Sequence, residues 1–147
     1  MAKKFFLLLF SVCFAWAWTA VVTPSSAFAL GFHASSYWCD NTNYPMVRSH
    51  MGYDQYDDLS SAYIADQWSD EYTDYKVCIC NIIVVQRDTN EITDTHAARI
   101  LIGNGEDGPS FYKPSGVNWE ELNDYGYNEA YYNTGWILLH YFNGEPI

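Results

Sequence analysis

A chain of 147 residues with 49% hydrophobic and only 17% charged side chains has the material for one folded core and is too apolar for a disordered tail. Seven Lys and Arg stand against 18 Asp and Glu, for a net charge of −11, and no basic cluster follows the first four residues. That balance argues against a nucleic-acid binder and is compatible with cations, basic partners or neutral sugars.

The chain opens with Lys3 and Lys4, an apolar run over 5–18, the breaker Pro24, and Ala27-Phe28-Ala29. Small side chains at Ala27 and Ala29 suit signal peptidase, so residues 1–29 are expected to be a cleaved signal peptide. Residues 30–147 then form one globular domain, secreted or held in the periplasm or cell envelope, with no membrane span after cleavage. A retained anchor is the alternative, since 5–22 reaches the lower limit of a span.

After a Ser- and Asn-rich opening over 30–45, with a short strand near Tyr37, residues 56–68 read as strand or helical turn, and 67–74 as an acidic turn. Residues 75–87 are apolar on both alternating faces, with Val77, Ile79, Ile83 and Val85 on one and Cys78, Cys80, Ile82 and Val84 on the other. This pattern predicts a central strand covered on two sides. Asp88-Thr89-Asn90 supplies a turn, and 91–102 returns as a second strand that brings Ile100 and Ile102 into the core. Residues 103–110 read as a turn, Phe111-Tyr112 as a short strand and 119–122 as a further turn of structure.

In the tail, Ala130, Thr134, Ile137, Leu138 and Tyr141 fall on one helical face, with Asn128 as N-cap and Asn143-Gly144 as stop. Gly135 inside that helix costs about 1 kcal/mol relative to Ala. A closing strand over 136–142 is the alternative. The expected fold is α+β: a small antiparallel sheet with a central hairpin at about 75–102 and a C-terminal helix packed on one face.

Cys39, Cys78 and Cys80 remain after signal cleavage, an odd number. Cys78 and Cys80 share a strand face and are badly oriented for each other, so Cys39 with Cys78 or Cys80 is the expected bridge, against three buried thiols. A zinc site on the Cys-x-Cys pair with His96 or His50 lacks convergent geometry, and no metal is expected. Gly103-Asn104-Gly105-Glu106-Asp107-Gly108 matches G-x-G-x-x-G, yet Pro109 and two acids replace the helix that phosphates need. Neither nucleotide binding nor any other cofactor is expected. The acidic runs miss the spacing of a calcium loop.

For catalysis, Asp94 and His96 share a strand face, so a carboxylate could orient an imidazole beside Cys39 or a serine. Cys39 is followed by Asp40, whose charge opposes the thiolate a nucleophile needs, and no serine lies in G-x-S-x-G. Tyrosines beside acids and amides, above all Tyr53, Tyr56, Tyr125 and Tyr127, are the side chains that stack on sugar rings or anchor protein contacts.

At His50-Met51-Gly52, Tyr56-Asp57-Asp58-Leu59-Ser60-Ser61, the long strand and Trp119, the chain resembles small exported bacterial proteins of unassigned function, similar to surface-adhesin-like domains. The likeness spans most of 47–122 and implies no catalytic residues. The expectation is an exported, acidic, non-enzymatic binding or structural module of the cell envelope, recognising glycan or protein through exposed Tyr and Trp. The alternative is a small envelope hydrolase using His96 and Asp94 with Cys39 or a serine.

Overall fold

The computed structural model describes Ala34 and residues 36–147; the expected signal peptide lies outside the described residues. Six strands, β1 (Met46–His50), β2 (Tyr53–Ser69), β3 (Thr73–Gln86), β4 (Glu91–Gly105), β5 (Gly108–Ser115) and β6 (Asn118–Glu121), precede one helix, α1 (Glu129–Asn143). The strands pair with their sequence neighbours, all antiparallel, in the order β1-β2-β3-β4-β5-β6. The α+β reading with a helix on the sheet holds, and β3 and β4 lie at the middle of the sheet, joined through Asn90 in a left-handed conformation. The sheet is larger than a hairpin-centred reading implies.

It is also curled into a half-barrel around the helix. The first turn of α1 meets β1 through Arg48 and Glu129, and its N-cap residue Asn128 accepts a hydrogen bond from Lys113 of β5. In a flat sheet those strands would stand about 19 Å apart, wider than a helix of roughly 10–12 Å diameter can bridge. Val47, Leu59, Cys78, Cys80, Ile82, Ala98, Ile100, Ile102 and Phe111 of the sheet bury against Ala130, Ile137, Leu138 and Leu139 of the helix. On the opposite face a smaller cluster of Tyr56, Ile83 and Val85 is covered by Trp38, Tyr44 and Met46. The central strand is thus covered on both sides, although Ile79 and Val84 are only half-buried.

Several local readings need correction. Residues 56–68 are strand, not helical turn, and β2 runs on to Ser69, which shortens the acidic turn. Residues 119–122 fall largely in a sixth strand. Asn128 does not cap α1 with its side chain, which Lys113 engages instead, whereas Gly144 closes the helix in the left-handed conformation as expected. Gly135 has a packing reason: a Cβ there would meet the Phe111 ring at 2.5 Å.

The bend in β2 comes from the Asp58-Leu59-Ser60-Ser61 segment. Asp58 pairs with Asn81 and Tyr63 with Ile79, so residues 59–62 stand opposite Cys80 alone. Asp58 accepts from the backbone N–H and hydroxyl of Ser60. The Ser61 hydroxyl donates to the Asp58 carbonyl and accepts from the Asn81 N–H. The bulge replaces lost ladder bonds with side-chain bonds and turns Leu59 into the core.

Candidate functional site

Strand register builds the site. Arg48, Gln55, Val84 and Asp94 are successive partners across β1 to β4, so their side chains share the helix-covered face. The neighbouring row carries His50, Tyr53 and Gln86, and the row toward the core carries Asp57, Ile82 and His96. Where this face runs out past the start of α1, Arg48, His50, Met51, Tyr53, Gln55 and Val84 line a cleft of about 560 Å³. That volume suits a small ligand.

Its polar groups are incompletely partnered. Gln55 Oε1 and Arg48 Nε are buried without a hydrogen-bond partner among the described residues. Arg48 Nε lies 3.3 Å from Glu129 Oε2, so its charge is balanced by the first residue of α1. At the rim, Met51 and Gly52 make the β1–β2 turn with φ of 50° and 85°. Two positive φ values in a two-residue hairpin turn suit Asn-Gly, and a methionine there is strained, yet Met51 is 82% exposed.

Behind the cleft sits Asp57, with none of its surface exposed. Oδ1 accepts from the Thr134 hydroxyl at 2.8 Å, while Oδ2 has no partner among the described residues. Burial pushes this carboxyl up to about 8, only partly offset by the Thr134 bond, so it is mostly protonated at neutral pH. On the opposite face, Asp54 behaves in the contrary way. Its hydrogen bond from the Arg87 guanidinium holds it below the usual carboxylate range against the cost of burial, with Ser49 assisting.

The residues expected for catalysis do not assemble. His96 Nδ1 lies 3.2 Å from Asp94 Oδ2, and the His96 ring faces Tyr131 at 6.4 Å. No hydrogen bond among the described residues links His96 to a cysteine or serine. Cys39 sits in a short 3-10 turn, Trp38–Asp40, with φ of 52°, and accepts from Asn90 Nδ2 at 3.8 Å.

The expected bridge from Cys39 to Cys78 or Cys80 is not formed, and all three thiols are free. The reason is topological. Cys39 follows Trp38, which covers the outer cluster, whereas Cys78 and Cys80 point into the helix-covered core on the other side of the sheet. Burial raises the Cys78 thiol to about 11 and the Cys80 thiol further, leaving both as inert small hydrophobes. No group of three or more potential metal ligands occurs among the described residues.

The four candidate tyrosines separate. Tyr53 lines the cleft and is 45% exposed. Tyr125 and Tyr127, 70% and 92% exposed, lie in the segment leading into α1. Tyr56 is 6% exposed and packs in the outer cluster beside Asp54, so it cannot present a ring to a ligand. Arg48, Gln55 and Asp57 escaped the sequence reading. Leu59, two residues beyond Asp57, would have marked Asp57 as inward-facing once 53–59 was assigned as strand. No family model matches the chain, nor does any curated protein or solved structure.

Proposed function

We propose that this chain is an exported, non-enzymatic binding module of the cell envelope that takes a neutral, hydroxyl-rich ligand, the end of a glycan, in the cleft between β1, β2 and β3. The observation carrying this reading is a cleft with one aromatic wall, Tyr53, an apolar floor, Val84, and a Gln55 Oε1 that has no hydrogen-bond partner among the described residues. A sugar offers a face to stack on an aromatic ring and hydroxyls that both donate and accept. Because Glu129 balances Arg48 and the whole chain is acidic, a neutral ligand is favoured over an anionic one. The strained, exposed Met51 at the rim supports a site that costs stability for contact. Export rests on Lys3, Lys4, the apolar run and Ala27-Phe28-Ala29, and N-terminal sequencing of secreted protein should begin near Leu30.

The Asp94–His96 contact is the observation on the side of a hydrolase. Among the described residues no serine or cysteine hydrogen-bonds to His96, and general acid–base work would then have to activate water alone. A panel of neutral oligosaccharides presented to the wild type and to Tyr53→Ala tests the proposal. Binding that falls at least tenfold in Tyr53→Ala, and is unchanged in the distant Tyr63→Ala, is expected. Absence of any binding, or turnover lost in His96→Ala, would overturn it.

A further inference from the structure

A second surface lies at the far end of β2. β1 pairs with β2 only over Tyr53 to Tyr56, and the backbone bonds from Asp57 and Leu59 to Pro45 and Asn43 extend this cover no further than Leu59. Beyond the bulge, β2 pairs inward with β3, Tyr63 with Ile79 through Ser69 with Asp74. Its outer edge has no strand beside it among the described residues, and residues 63–69 are all exposed. An edge of this kind presents a row of backbone N–H and C=O groups that another extended chain can satisfy.

The side chains on this edge are unusual for one left bare. Tyr63, Ile64 and Trp68 are exposed, Trp68 is held in place by stacking on Tyr75 with ring centroids 5.3 Å apart, and residues 64–67 line a shallow groove of about 340 Å³. Around them stand Asp66, Asp70, Glu71 and Asp74, and no Lys or Arg occurs anywhere between Arg48 and Lys76. Lys76 itself reaches toward Asn143 of α1.

We infer that the outer edge of β2, residues 63–69, accepts an extended, basic segment of a partner protein as an added strand. Charge complementarity selects that occupant. A second copy of this chain would bring acid against acid if it offered β2, or β6, which carries Glu120 and Glu121, or the stretch of β4 before Leu101 that β5 does not pair, which carries Glu91 and Asp94 against Arg99 alone. The register irregularity between Ile64 and Asp66, and the Asp66 charge itself, discourage indiscriminate pairing while leaving a cationic strand an attractive match.

The test uses fluorescently labelled eight-residue peptides and anisotropy with the intact chain. One peptide alternates Lys and Val, a second alternates Glu and Val, and a third is the Lys-Val peptide N-methylated at alternate residues along its pairing edge. Binding of the Lys-Val peptide is expected, with at least a tenfold loss on N-methylation, no binding of the Glu-Val peptide, and at least a tenfold loss in Trp68→Ala. Equal binding of the methylated peptide would reduce the effect to charge alone and overturn the inference. So would a stable dimer that excludes the peptide, equal binding of the Glu-Val peptide, or no binding at all. Glycan recognition at Tyr53 is untouched by any of these results.

Discussion

At the scale of single residues, Asp57 is the side chain with the largest measurable consequence. Its carboxyl is charged near pH 4 when unfolded but only near 8 when folded, so between those values the folded state holds one proton more. Stability therefore falls as pH rises through that window, by up to about 1.4 kcal/mol per pH unit, and levels off above it. Asp54, whose folded carboxyl is depressed, acts oppositely and loses its contribution as pH falls through the acid range. Urea unfolding of the wild type should show a stability maximum on the acid side of neutral. Asp57→Asn should flatten the decline up to pH 8; the same slope in that variant would assign the decline to other groups. Gly135 gives the second test at this scale. Despite Ala being the better helix former, Gly135→Ala should destabilise by roughly 1–3 kcal/mol in thermal unfolding, because the Phe111 ring fills the space of the added methyl.

At the scale of elements, the sequence was most readable where apolar periodicity was long and uninterrupted. Residues 75–87 are apolar on both faces and are followed by a turn signal and a second apolar-rich run over 91–102, and the face from Ala130 to Tyr141 repeats at helical spacing, so both the hairpin and the helix were legible. β2 was not, because its bulge shifts the alternation partway and its far half has no buried face to alternate against. The Asp58-Leu59-Ser60-Ser61 segment is a bending device in this fold. Ser61→Ala should cost about 1–2 kcal/mol in urea unfolding, since the Asn81 N–H loses its acceptor. The β1–β2 turn makes a contrasting prediction. Met51→Asn should raise stability by about 1 kcal/mol by relieving the left-handed strain, and should weaken ligand binding if the exposed thioether side chain contributes to the cleft.

At the scale of the whole molecule, curling is what creates a cleft. A half-barrel closed on one helix buries one end of its inner face and leaves the other end open past the start of α1, where Arg48, Tyr53, Gln55 and Val84 converge. None of these was recoverable as a group from the chain order alone, because Arg48 and Val84 are brought together only by the register of three strands. Tyr53 was legible as an aromatic beside acids, while Tyr56, chosen on the same grounds, turned out to be buried by one step of strand alternation toward the outer face. Among the described residues no helix is long and apolar enough to cross a membrane.

The most direct test of the cleft is a titration of 15N-labelled protein with a neutral oligosaccharide, followed by amide chemical shifts. Saturable shifts concentrated at Arg48, Met51, Tyr53, Gln55 and Val84 are expected, with little change at Tyr63 or Trp68. Shifts confined to Tyr125 and Tyr127, or none at concentrations where other sugar-binding proteins saturate, would contradict binding in the cleft.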